Sequence, residues 1–329
     1  MPETLVLPHA TRCLLEPCPP FHFDGTVCKP SYFPGSDTAY EPGHYWQSMR
    51  FDGALYGIHL ENQGDVEHPR VALTIYSAGP LDPACAGRIA DEIAARFDLL
   101  ADLRPFYDGP LRDDSLLAEV FARWRGTRPS TYSSLYEYLV IATALQNANV
   151  RRTVQMMENL FARFGARLAF DGRELNAYWD PRAVHEAAEE ELRALKVGYR
   201  AKSLKRQAAS FVPGSGAPLL DEFALRGLPT PALKQELLSL YGIGPASVWY
   251  LLFGQFKRYD AFETISPWEQ KIFSRLMFDQ ELVEAKTILA EVDRRWGPWK
   301  MLAAHLLFED LFWRRKHEDV PWLEALIRL

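Results

Sequence analysis

The residues between Leu233 and Gly254 carry the most informative chemistry in the chain. There, LKQELLSLYGIGPASVWYLLFG joins two helical patterns through Tyr241-Gly242-Ile243-Gly244-Pro245, with Ser247 close behind. Gly242 and Gly244 permit positive φ and a tight hairpin, and Pro245 suits the first position of the following helix. Such a turn presents backbone N–H groups at a helix N-terminus with no side chains in the way, a site for an anion such as a nucleic-acid phosphate. Read alone, the same turn is equally a plain corner between two helices. Further along, Ser266-Pro267-Trp268-Glu269 has the form of a capping box, with Pro at N1 and Glu at N3. Glu269 falls in the first helical turn, and Glu263 and Asp260 fall on the loop before it. A carboxylate near a helix N-terminus stays ionised, which suits it to stabilising positive charge that develops in a cleft. Simple capping by Ser266 is the structural alternative.

These residues need elements to hold them. The segments YWQSMRF (45–51), ALYGIHLE (54–61) and RVALTIYS (70–77) are rich in β-branched and aromatic residues, and Val71, Leu73 and Ile75 alternate as in a half-buried strand. Asp52-Gly53 predicts a hairpin turn between the first two. A helix is predicted near 83–97, where Ile89, Ile93 and Phe97 share a stripe. Residues 1–97 therefore read as an α+β N-terminal domain, an antiparallel sheet plus a helix. From 98 to 329 the period is helical, and an all-α, two-lobed body is predicted. SSLYEYLVIATALQ (133–146) should be its central buried helix, and VRRTVQMMENLFARFG (150–165) an amphipathic one closed by Gly165 as a C′ glycine. Further helices are predicted near 181–196, 199–212, 231–240, 245–254, 267–278, 281–295 and 298–315.

The chain has 329 residues, enough for two or three structural units, with 48% apolar and 24% charged residues. No apolar run is long enough for a membrane span, and the N-terminus lacks the pattern of a secretory signal. A cytoplasmic setting with four free thiols is the expectation. Cys13, Cys18, Cys28 and Cys85 form no C-x-x-C pair, so small buried side chains are a better reading of them than a zinc site using Cys13, Cys18, Cys28 and His22. The net charge of −6 argues against coating nucleic acid. It leaves room for a local basic face. The run Arg193, Lys196, Arg200, Lys202, Lys205 and Arg206 contains no acid and supplies either that face or an ordinary solvated one.

The hairpin and its surroundings resemble the helix-hairpin-helix superfamily of base-excision DNA glycosylases. ELRALKVGYRAKSLKRQAASF (191–211) is similar to the helix pair that precedes the hairpin there, and RRWGPWKMLAAHLLFEDLFW (294–313) resembles the closing helix of the 3-methyladenine glycosylase II branch. That branch also has an α+β N-terminal domain and no terminal iron–sulfur cluster. The resemblance implies double-stranded DNA with a modified or damaged base as partner, a monomer associated with the nucleoid, and no cofactor beyond a monovalent cation on the hairpin carbonyls. It implies that amides of Gly242, Ile243 and Gly244 hold a phosphate, with Ser247 and Lys202 beside them. Gln146 and Asn147 would fill the gap left by a flipped nucleotide, and Tyr250, Trp268 and Trp299 would wall the base pocket. A polar cap on a buried helix and ordinary aromatic core are the bland readings of those residues.

One departure stands out. The superfamily's catalytic aspartate position holds Ser266, which carries no charge at neutral pH, and its lyase lysine position holds Ala246. The expected activity is therefore monofunctional hydrolysis of an N-glycosidic bond, with Glu269, or else Glu263, as a displaced carboxylate. A non-catalytic binder of damaged or modified DNA is the alternative that Ser266 favours, and a helical scaffold without nucleic-acid binding is the third.

Overall fold

A computed structural model describes residues 4–32 and 35–326, apart from the side chains of Ala246 and Ala325. Its strands are β1 (Thr4–Val6), β2 (His9–Leu15), β3 (Thr38–Glu41), β4 (His44–Phe51), β5 (Ala54–Asn62), β6 (Val71–Ser77), β7 (Ala166–Phe170) and β8 (Arg173–Ala177). β2 to β6 form an antiparallel sheet in the order β2-β6-β5-β4-β3. Asp52 and Gly53 both have positive φ, 48° and 78°, as a two-residue hairpin between β4 and β5 requires. The helix Pro83–Arg96 starts at Asp82, whose carboxylate accepts from the Cys85 amide. Its Ile89 and Ile93 are fully buried against Ile58, Leu73 and Ile75. Each such isoleucine contributes about 1.5–3 kcal/mol relative to exposure.

The body is helical but not purely so. β7 and β8 form a hairpin across Asp171-Gly172, and β1 adds to it in parallel, giving a second sheet in the order β1-β7-β8. Leu168, Phe170, Leu175 and Ala177 bury themselves against Leu7 and Trp46, so the N-terminus and the middle of the chain share a core. Gly165 is not a left-handed cap: its φ of −76° is extended and leads the helix Val150–Phe164 straight into β7. Glycine is required there by close approach, since a Cβ would lie 2.8 Å from the carbonyl oxygens of Phe161 and Ala177.

Helix Leu135–Leu145 is the axis of the body. Ser134 and Glu137 close a capping box at its start. Tyr136, Val140 and Ala144 then face one core, while Leu135 and Leu139 face another. The helix predicted over 181–196 is broken into Pro181–Glu186, Glu189–Leu192 and a π-helical turn, Arg193–Val197, in which Lys196 takes φ 66°. Helix Pro245–Tyr250 likewise runs into a π-helical turn, Leu251–Gln255. Helices Pro267–Phe278, Ala285–Trp296 and Lys300–His317 pack as a third core around Phe273, Trp296, Leu302 and Leu306. Among the described residues no helix is long and apolar enough to cross a membrane. His22 caps the short helix Phe23–Val27 by accepting from the Gly25 amide at 3.0 Å.

Candidate functional site

Helix Thr230–Ser239 and helix Pro245–Tyr250 flank the glycine turn, in which Gly242 takes φ 84°. Ile243 is buried and anchors the turn from inside, and its amide donates to the Leu240 carbonyl at 3.1 Å. The amides of Gly242 and Gly244 have no partner in the chain among the described residues. A Cβ built on Gly244 meets no atom within 4 Å, so the backbone there faces open space. Gln207, itself held by Thr143, donates to the Tyr241 carbonyl at 3.0 Å, and Gln146 donates to the Gly242 carbonyl at 3.2 Å. A cation on this turn would share those carbonyls with the two side-chain amides.

Gln146 and Asn147 sit at the end of the axial helix, beside this turn. Asn147 has φ 49° and donates to the Tyr199 hydroxyl at 3.2 Å, which in turn donates to the Gln146 carbonyl. Gln146, Ile243, Ser247 and Tyr250 line a groove of about 390 Å³ that also touches Tyr138. Tyr138 and Tyr250 then wall a neighbouring cavity of about 260 Å³, which reaches Trp268 and Glu269. The groove beside the polar helix end and the cavity beside the carboxylate thus share Tyr138 and Tyr250 in their walls.

Glu269 is almost fully buried and is held by three donors. The Ser266 amide and hydroxyl reach Oε2 at 2.9 and 2.6 Å, and the Tyr250 hydroxyl reaches Oε1 at 3.0 Å. All three bonds fix the direction of that carboxylate. Burial and the Glu269 charge push the Tyr250 phenol far up, so it remains a neutral donor. Trp268 stands at the cavity wall, edge-on to Phe308 at 5.3 Å. Two expected residues lie elsewhere. Glu263 is exposed and paired with Lys234 at 3.3 Å, and Trp299 stacks on Tyr259 at 5.4 Å in the third core. The backbone of Ala246 follows the turn in helix Pro245–Tyr250, and its side chain lies outside the described residues.

The basic run divides by direction. Arg200 is buried and donates to the carbonyls of Thr143 and Gln146, and Lys205 donates to those of His185 and Ala187. Both therefore tie helices together. Lys202 and Arg206 stay exposed over the Tyr241 ring, at 5.8 and 4.4 Å, next to the turn. Arg151 and Arg152, missed in the sequence, are exposed at the start of helix Val150–Phe164 beside Asn147. Two cations at a helix N-terminus oppose the dipole, and that misfit was the available signal.

The inner end of the cavity was also missed. Lys29, Tyr32, His305 and Glu309 line it together with Glu269. Burial lowers the Lys29 ammonium to about 8 and raises the Glu309 carboxyl. Burial, followed by the charges of Lys29 and Lys257, holds His305 well below its ordinary range, so it is neutral at pH 7.

No family model matches the chain. In sequence it is similar to a probable N-glycosylase/DNA lyase of Methanothermobacter thermautotrophicus, 22% identical over 207 residues, which are 57% of this chain. The chain spans 64% of the length of that curated relative. In structure it is similar to a 3-methyladenine DNA glycosylase from Archaeoglobus fulgidus, with TM-score 0.72 and 16% identity over 92% of this chain and 99% of that one. It is also similar to the 8-oxoguanine glycosylase/lyase of Clostridium acetobutylicum, with TM-score 0.66 and 18% identity over 92% of this chain and 97% of that one. The antiparallel N-terminal domain with its helical body is thus a fold shared with DNA glycosylases.

Proposed function

We propose that the chain is a monofunctional DNA glycosylase of the helix-hairpin-helix superfamily, beside the 3-methyladenine branch, acting as a monomer on duplex DNA. The observation that carries this reading is the carboxylate of Glu269, buried at the wall of an aromatic cavity and held by Ser266 and Tyr250. The amides of Gly242 and Gly244 bind a backbone phosphate, with Ser247 and Lys202 beside them and Ile243 bracing the turn. Gln146 and Asn147 fill the space left by the extruded nucleotide. The base enters between Tyr250 and Trp268, which stack on it in place of its former neighbours.

As the C1′–N bond breaks, positive charge grows on the sugar. Glu269 stabilises that charge from a fixed position, and a water supplies the new C1′–O bond. Ser266, where the superfamily has aspartate, serves by orienting the glutamate one helical turn further on. Trp299 braces Tyr259 from behind and does not touch the base.

The test is release of free base from DNA carrying diverse modified bases, read by mass spectrometry, with Glu269→Gln and Glu263→Gln in parallel. Glu269→Gln should lower release by about a hundredfold or more while DNA affinity is kept. Glu263→Gln should leave release unchanged, because its carboxylate faces Lys234 and solvent. Retained DNA binding with no base released from any DNA would instead establish the non-catalytic binder that Ser266 favours.

A further inference from the structure

Lys29 is a buried cation that touches no anion among the described residues. It is 3% exposed, and its Nζ donates to Ser130 Oγ at 2.9 Å and to the Tyr32 hydroxyl at 3.4 Å. Both acceptors are neutral, and each donates its own hydrogen elsewhere, Ser130 to the Thr26 carbonyl and Tyr32 to the Ser130 carbonyl. An ammonium has three N–H groups, so one is left unassigned. Glu309 is equally buried across the same cavity, yet among the described residues it forms no ion pair with Lys29. It accepts instead from the Ser31 amide and hydroxyl, at 3.0 and 2.6 Å. His305 Nε2 lies 3.9 Å from Glu309 and is buried without a hydrogen-bond partner. Holding two opposite charges out of water without letting them meet is costly, and an unpaired buried charge in a cleft marks a functional site.

We propose that Lys29 is a catalytic residue that stabilises the departing base, and that the cleft accordingly acts on uncharged modified bases rather than on cationic alkylated ones. This rests on the base-excision reading of the same cleft. When the C1′–N bond of an uncharged base breaks, the electron pair leaves with the base and negative charge spreads to its ring nitrogens and carbonyl oxygens. The free N–H of Lys29 meets that charge, by hydrogen bond or by proton transfer, and solvent restores any proton given up. Water adds to C1′ and loses a proton, so the products are the neutral free base and an abasic sugar. A base with a fixed positive charge leaves as a neutral molecule and offers Lys29 nothing to stabilise. Glu309, fixed by Ser31, and His305 present acceptor groups to the N–H groups of the same base, which sets its orientation.

The test compares Lys29→Met, which keeps length and packing without charge, and Lys29→Arg, which restores charge. Single-turnover release would be measured from duplexes containing 8-oxoguanine, hypoxanthine or uracil, and from one containing 7-methylguanine, which is cationic. The wild type should release at least one of the three uncharged bases. Lys29→Met should slow that release by about a hundredfold, Lys29→Arg should recover part of it, and release of 7-methylguanine should change by less than about threefold. Equal slowing of charged and uncharged bases, or no slowing of either, would overturn the role of Lys29. Release of 7-methylguanine alone by the wild type would overturn it while leaving the glycosylase reading intact. Release of no base from any of the four duplexes would count against both. Affinity for the same duplexes built with 2′-fluoro sugars, which resist cleavage, should be kept in Lys29→Met; its loss would show a fault in binding and overturn the leaving-group role.

Discussion

At the scale of single residues, the cleft holds Glu269 at its wall and Lys29 with Glu309 at its inner end. In the proposed reaction Glu269 answers cation growing on the sugar, and Lys29 answers anion growing on the base. The second role titrates in an accessible range. Lys29 is ringed by Glu309 and His305 from helix Lys300–His317, by Asp98 after helix Pro83–Arg96, by Lys257 and by Tyr32; burial outweighs the attraction of Glu309 and Asp98 and brings it to about 8. Its ammonium is present below that value and lost above it. Release of an uncharged base should therefore fall as pH rises through about 8, and the fall should be absent in Lys29→Met and for 7-methylguanine; a profile flat to pH 9.5 for uncharged bases would contradict the assignment. Nothing in the sequence around Lys29 marks it. Its neighbour Ser31 meets Glu309 across 278 residues, a contact made by the fold alone. The capping box of Ser266 and Glu269 was legible because it is a local pattern, whereas the packing of Trp299 on Tyr259 was not, because an aromatic at helical spacing fits a core as well as a pocket.

At the scale of elements, the glycine turn separates conformation from function in a way that mutation can read. Gly242 has φ 84°, and a side chain there is strained and would meet Ser203 Oγ at 3.4 Å. Gly244 has φ −114° and nothing near its missing Cβ. Gly244→Ala should therefore leave the thermal midpoint nearly unchanged yet weaken duplex binding by about tenfold, if the added methyl crowds the proposed phosphate contact at the amide. Unchanged affinity in gel-shift titrations would remove the turn from the interface. The turn and the helices around it were legible because glycine, proline and the 3.6-residue period act over a few residues. β1, β7 and β8 were not: each is at most five residues long, and β1 finds its partner β7 more than 150 positions away, as Leu5 beside Leu168. The basic run was legible as charge but not as direction, since only packing turns Arg200 and Lys205 inward.

At the scale of the whole molecule, the cleft is a seam. Lys29, Ser31 and Tyr32 come from the N-terminal domain and Glu269 and Glu309 from the helical body, so the site exists only while the two stay docked. A buried network fastens them. Glu92, on helix Pro83–Arg96, pairs with Arg96 at 2.7 Å and with Arg226 at 2.6 Å, and Arg226 also holds Glu222 at 2.8 Å. Glu222 reaches the start of the axial helix through the Leu135 amide at 2.7 Å. Burial alone would raise the Glu92 carboxyl, but Arg226 and Arg96 outweigh it and hold it below its ordinary 4.5. A lowered folded value means that this stabilisation is fully present above about 4.5, the unfolded value, and is lost as pH falls through the folded value beneath it. Arg226→Met should cost about 2–4 kcal/mol at pH 7, less than a wholly orphaned carboxylate because Arg96 remains. Without Arg226 the folded value of Glu92 rises, so the variant has less stability left to lose between pH 5 and 3 than the wild type. Urea unfolding across that range measures both effects. Parallel stability curves for the two proteins would mean that Arg226 does not fasten the seam electrostatically, and that other contacts across it, the Ser31–Glu309 hydrogen bonds among them, keep Lys29 in the cleft.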